Sequence, residues 1–135
     1  MGDLTLRLRS GRFNLRVGAV ILHEGRLLAM QDENAPYFYL PGGRVRLHET
    51  AEDALLRELR EELGVELAVG EPVTEVTYRY PDVTVHLTLL SAAITAGEPR
   101  KLEHADIRWM TPAEAKDYPF CPADRIFLER LEAHW

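Results

Sequence analysis

Residues 43–65 read GRVRLHETAEDALLRELREELGV, and the spacing within this stretch decides how the rest of the chain is read. Gly43 is followed after five residues by Glu49, and seven residues later by Arg57-Glu58-Leu59-Arg60-Glu61-Glu62-Leu63-Gly64-Val65. Ala51 to Leu63 predicts a helix: Thr50 is an N-cap with Asp53 placed for a capping box, and Gly64 stands where a left-handed C-cap residue belongs. At about 100° per residue, Leu55, Leu56, Leu59 and Leu63 share an arc that should face a core, while Glu58, Glu61 and Glu62 share a neighbouring one.

That acidic arc is costly. Carboxylates at i, i+3 and i+4 are neighbours on a helix and repel. A pair about 4 Å apart costs on the order of 4 kcal/mol at an effective dielectric of 20. Folding alone gives no reason to accept this, whereas Mg²⁺ or Mn²⁺ takes oxygen ligands from a few carboxylates together with substrate phosphates. The bland alternative is a solvated acidic face with ion pairs such as Arg57–Glu61 at i,i+4.

The complete pattern weighs against the bland reading. It resembles the Nudix box, G-x5-E-x7-R-E-U-x-E-E-x-G-U with U apolar, and every fixed position is filled. With each residue type at roughly 5–10 %, a chance match is about one in a million. By this resemblance Glu58 and Glu62 are the main metal ligands, Glu61 lies in or near the same shell, and the Gly43 carbonyl adds a ligand. Arg57 holds a box carboxylate in position, and Glu49 braces the loop. The resemblance implies an α/β fold, the Nudix-type α/β/α sandwich with a mixed β-sheet. It also implies an activity: metal-dependent hydrolysis of a phosphoanhydride (pyrophosphate) bond in a nucleoside diphosphate linked to a moiety X, as in a nucleoside triphosphate or nucleotide sugar. The cofactor would be Mg²⁺ or Mn²⁺, which spreads phosphate charge and acidifies the attacking water, with Glu61, Glu62 or Glu103 taking the proton. Glu103 enters because relatives that hydrolyse nucleoside triphosphates carry a glutamate six residues before a tryptophan, and Glu103 stands six before Trp109. The alternative is a non-catalytic Nudix-fold nucleotide sensor; such proteins commonly show degraded boxes, and this box is intact.

Substrate contacts are less legible. Arg44, Arg46, Arg79 and Arg100 are candidates for phosphate binding, and Tyr37, with Phe38, Tyr39, Tyr118 and Phe120, offers a ring for base stacking. Pro81 stands sixteen residues beyond the box, as in ADP-ribose-hydrolysing relatives, but a Pro-Asp turn accounts for it. The tyrosine expected nearby in dinucleoside-polyphosphate relatives is absent at Pro81, Asp82 and Val83.

Outward from the box, Arg7–Arg9 and Asn14–Leu22 read as strands, and His23-Glu24-Gly25 as the turn of a hairpin into Arg26–Gln31. Tyr37–Leu40 reads as a short strand stopped by Pro41-Gly42-Gly43. Glu66–Val69, Val73–Tyr80, Val83–Thr95 and Ile107–Met110 read as extended. Thr111-Pro112-Ala113-Glu114 reads as a helix start, and Pro122–Ala133 as a closing helix.

The bulk numbers fit one domain, residues 1–135, in a chain of that length. A formal charge of −6 argues against a basic face for extended nucleic acid, so the expected partner is a small-molecule nucleotide. No apolar run is long enough for a membrane helix, and the start carries no secretory h-region. Lone Cys121 cannot form an internal disulfide, which suits the cytoplasm. Monomer and homodimer both stay open; Arg7, Arg9 and Arg12 on the first strand could serve a dimer partner.

Overall fold

The computed structural model describes residues 5–8, 11–100 and 105–131. In chain order the elements are β1 (Thr5–Leu8), β2 (Gly11–Val20), β3 (Leu22–His23), β4 (Arg26–Asp32), β5 (Phe38–Tyr39), β6 (Gly42–Arg44), α1 (Ala51–Leu63), β7 (Glu66–Arg79), β8 (Val83–Ala96), β9 (Ala105–Met110), α2 (Pro112–Asp117) and α3 (Pro122–Leu131). The larger sheet runs β1-β2-β8-β7, with β6 also on β2. It is mixed: β2 and β8 are parallel from Arg12↔Val83 to Val20↔Ser91, and the other pairs are antiparallel. In the smaller sheet β4 pairs with β3, β5 and β9, all antiparallel.

Strand alternation sends side chains into two cores. Leu27, Ala29, Val85, Leu87 and Leu89 pack with Ala123, Phe127, Leu128 and Leu131 of α3. Leu28, Met30, Leu90 and Ala92 pack with Ala54, Leu55, Leu59 and Leu63 of α1. Helix α1 thus covers one side of the sheets and α3 the other, which is the α/β/α sandwich expected from the box. No helix among the described residues is long and apolar enough to cross a membrane.

Helix α1 begins and ends where the sequence predicts. Thr50 accepts from the Asp53 amide at 3.1 Å, Asp53 accepts from the Thr50 amide at 3.2 Å, and Gly64 is left-handed at φ 70°. Leu55, Leu59 and Leu63 are fully buried, with Leu56 packed at the margin of the same core. The Glu24-Gly25 turn has φ of 51° and 75°, the two-residue geometry that matches the twist of a hairpin.

Three expectations need correction. Asn14–Leu22 is not one strand: the chain passes from one sheet to the other at buried Ile21, whose carbonyl accepts from the Leu28 amide at 3.1 Å. Gly42 and Gly43 do not merely stop a strand but open β6, laid on β2 through Gly18↔Gly42, Val17↔Gly43 and Arg16↔Arg44. A Cβ at Gly42 would lie 2.0 Å from the Val17 carbonyl oxygen, so this close approach requires glycine. Glu66–Val69 and Val73–Tyr80 are one strand, β7, whose register shifts around Pro72 absorb a residue with no N–H to give. Arg9 and the end of the closing helix beyond Leu131 lie outside the described residues.

Candidate active site

Arg57 is the hub of the box. Its side chain is 16 % exposed and its guanidinium is shared among three groups. Nε and Nη2 donate to the two carboxylate oxygens of Glu49 at 2.7 and 2.8 Å, Nη1 donates to Glu58 Oε1 at 2.8 Å, and Nη2 also reaches the Arg44 carbonyl at 3.1 Å. One planar fork thereby ties α1 to the loop before it and to β6. Glu49 in turn accepts from the Arg46 amide at 2.9 Å, and the Arg57 hydrogen bonds hold its carboxyl down at about 2. The same contacts, with Glu49 the largest, hold the Arg57 pKa above its ordinary value.

Glu58 is pressed against the backbone of β6. A Cβ at Gly43 would fall 2.4 Å from Glu58 Cδ and 2.5 Å from Oε1, so the carboxylate fills the space a side chain would take. Glu58, Glu62, Gly43 and Arg44 line one cleft of about 790 Å³, whose floor is β2 and β8 and whose far wall comes from α3. Among the described residues no three Asp, Glu, His or Cys side chains enclose an ion by themselves. A hard divalent cation such as Mg²⁺ keeps several waters and binds through one or two carboxylates plus substrate phosphates. The hard-oxygen donors and the cradle at Gly43 fit such an ion.

The other expected residues fall differently. Glu61 is on the outer side of the cluster, 53 % exposed, 3.6 Å from Arg57 Nη1, and is not among the residues lining the cleft. Tyr37, Arg46 and Arg79 are exposed and do not line it either. Glu103 lies outside the described residues.

Tyr39, one of the rings offered for base stacking, does line the cleft, whereas Asn14, Arg16 and Asp124 line it with no sequence signal having pointed to them. Asp124, in the first turn of α3, is 8 % exposed; burial raises its carboxyl to about 7, against the opposing pull of the Leu40 amide at 3.4 Å and of Arg16. Tyr39 donates to Asp32 Oδ1 at 2.5 Å; burial first, and this carboxylate second, push its pKa up. Asn14 and Arg16 come from β2. Cys121 also lines the cleft, with its thiol pushed up by burial, so it is no ready thiolate. A second cavity of about 520 Å³ between α2 and α3 contains no box residue.

The cleft can therefore hold a cation and phosphates at the Gly43–Glu58 end and a larger organic group toward Asn14 and Asp124. The profile of the NUDIX domain matches residues 12–131. The chain is 36 % identical over 121 residues to CTP pyrophosphohydrolase of Escherichia coli (strain K12), covering 87 % of this chain and 90 % of that protein. It is 29 % identical over 92 residues to the 8-oxo-dGTP diphosphatase of the same organism, covering 68 % and 71 %. The crystal structure of a MutT NUDIX hydrolase from Burkholderia pseudomallei superposes with a TM-score of 0.79 at 29 % identity, over 88 % of this chain and 98 % of that one.

Proposed function

This chain belongs to the Nudix family and is a pyrophosphohydrolase, and from that premise we propose that it cleaves a nucleoside triphosphate to the monophosphate and pyrophosphate. The observation that carries this reading is the Glu58 carboxylate, clamped between Arg57 and the bare backbone of Gly43 in a cleft of about 790 Å³. Glu58 and Glu62, with the Gly43 carbonyl beside them, would hold the divalent cation that the family generally uses. Bound there, it would supply Lewis-acid relief of the phosphate charge and acidify the attacking water.

The remaining work belongs to the chain itself. Arg57 fixes the direction of Glu58 through a charge-assisted bond, and Glu49 fixes Arg57, so the ligand geometry is set before substrate arrives. Arg16 and Arg44, paired across β2 and β6 next to Gly43, bring positive charge to the end of the cleft where phosphates would lie. Water attacks phosphorus, the bridging P–O bond breaks, and a carboxylate takes the proton; Glu62, lining the cleft, is better positioned for this than Glu61 on its outer side. Asp124, whose carboxyl titrates near neutrality, can donate or accept toward the nucleoside.

The names of two relatives suggest CTP and 8-oxo-dGTP as the first substrates to test. Release of pyrophosphate is measured over a nucleotide panel with Mg²⁺ and Mn²⁺, in the parent and in Glu58→Gln and Glu62→Gln. The expected result is turnover in the parent, loss of at least about a hundredfold in either variant, and a melting temperature that Mg²⁺ raises only in the parent. Nucleotide binding with no turnover of any substrate would favour the sensor alternative instead.

A further inference from the structure

Asn14 is a buried polar side chain that the protein itself leaves unsatisfied. It is 4 % exposed, and its Oδ1 is shielded from water yet accepts no hydrogen bond. Asparagine is disfavoured within strands, and a buried amide without a partner is destabilising, so an apolar residue would serve the fold better. The position nonetheless lines the cleft of the proposed pyrophosphohydrolase site.

Strand register says which part of the cleft it serves. Val17 of β2 lies opposite Gly43, and Arg16 opposite Arg44, so the phosphate end of the cleft sits over this part of β2. Asn14 is three residues further from Gly43, about 10 Å at the rise of a strand, beside its parallel partner Val85 and on the same face as Arg16. A triphosphate laid with its phosphates over Gly43 and Glu58 and its nucleoside along β2 puts the base beside Asn14, where Tyr80, Val85 and Asp124 also line the cleft. With Oδ1 shielded, Nδ2 is the end of the carboxamide open to a base edge, and a half-turn of the amide about χ2 would present the acceptor instead, so the group can meet either a carbonyl or an amine there.

We propose that Asn14 is a specificity-determining residue whose carboxamide hydrogen-bonds the edge of the substrate's nucleobase. The inference rests on the nucleotide pyrophosphohydrolase reading, and its test separates the two. Asn14→Leu, nearly the same size and shape, removes the amide. Steady-state kinetics with Mg²⁺ are run on CTP, UTP, ATP, dGTP and base-free tripolyphosphate, and binding of α,β-methylene analogues of the same nucleotides is titrated by calorimetry.

The expected result is a KM and Kd raised about tenfold for the preferred nucleotide, with kcat within about twofold of the parent. The spread of kcat/KM across the bases narrows, any effect on tripolyphosphate is absent, and the nucleotide-free protein melts no lower than the parent. Unchanged base preference overturns the assignment, and so does an equal loss on tripolyphosphate. A lowered melting temperature with unchanged KM makes Asn14 a structural group. Should Asn14→Leu fail to fold, the smaller Asn14→Ala is held to the same criteria. A parent that turns over no nucleotide sinks the hydrolase reading alone, because the calorimetric comparison of parent and variant still decides the role of Asn14.

Discussion

One methyl group added at Gly43 should disable the enzyme while sparing its fold. The backbone there lies outside the left-handed region, so alanine is conformationally acceptable, but its Cβ would meet Glu58 Cδ at 2.4 Å and the two carboxylate oxygens at 2.5 and 2.8 Å. Ordinary contact begins near 3.4 Å, so the carboxylate has to retreat by about 1 Å. Glu58 is a flexible side chain and can swing away, at the cost of its 2.8 Å bond from Arg57 Nη1. Losing one charge-assisted hydrogen bond beside solvent costs about 2 kcal/mol at most, a drop of a few degrees in Tm for a domain of this size. Catalysis is less forgiving: a misplacement of about 1 Å costs about a hundredfold in rate, or ~2.7 kcal/mol of barrier. Pyrophosphate release in Gly43→Ala, followed across a Mg²⁺ titration, should show kcat/KM down about a hundredfold and half-saturation moved up at least about tenfold. Gly42→Ala is the contrast, since its Cβ would strike the Val17 carbonyl oxygen at 2.0 Å, a backbone atom that cannot swing aside, and this variant should not fold. Activity in Gly43→Ala within about threefold of the parent at every Mg²⁺ concentration would refute the role given to the Gly43–Glu58 contact.

Two further predictions concern protons. The Glu49 carboxyl sits at about 2 in the folded protein against an ordinary 4.5, so its contribution to stability is complete above about 4.5 and disappears as pH falls toward 2. Arg57→Met removes the cause, so the Tm advantage of the parent over this variant should shrink across that interval; an advantage independent of pH would disprove the coupling. Asp124 has the opposite sign: its folded value near 7 lies above the ordinary 3.8, so the unfolded chain releases its proton first and stability falls as pH rises between those values. Asp124→Asn should abolish that slope, with its Tm overtaking the parent's progressively from about pH 4 to pH 7; parallel curves would show that Asp124 is not a desolvated acid.

What the sequence discloses and what it hides divide along a physical line. The box is contiguous, and a helix imposes its own geometry on neighbours at i, i+3 and i+4, so the buried arc, the acidic arc and both caps of α1 follow from spacing alone. The short contacts of Arg57 are almost as local, because Glu49 and Arg44 lie on the loop and strand that feed the helix. Local rules failed where two chain segments lie closer together than any side chain would allow. Gly42-Gly43 reads as a breaker until one knows that β2 lies opposite, and Pro72 reads as a gap between strands until the register of β8 shows a bulge. Whether Glu61 faces the cleft depends on where the loop and β6 lie against α1, which angular position on the helix cannot supply.

The far end of the cleft obeys the same logic more severely. Asn14 and Asp124 are separated by most of the chain, and each has an innocent local explanation. An aspartate in the first turn of α3 complements the helix dipole as any acidic residue would. An asparagine in a strand that also carries Arg12 and Arg16 passes as a surface position, although asparagine is itself disfavoured in strands, a mild signal that folding is not what selected it. Only the parallel pairing of β2 with β8, and the packing of α3 over that sheet, bring the two residues to one cavity. Metal and phosphate chemistry asks for a fixed cluster of charges, which one helix and its flanking loop can encode in 23 residues. Recognition of a base asks for donors and acceptors placed around a flat edge on the order of 10 Å away, which no single element can span. Substitutions in β2 and α3 should therefore change which nucleotide is preferred while leaving metal dependence intact, and substitutions in the box should do the reverse.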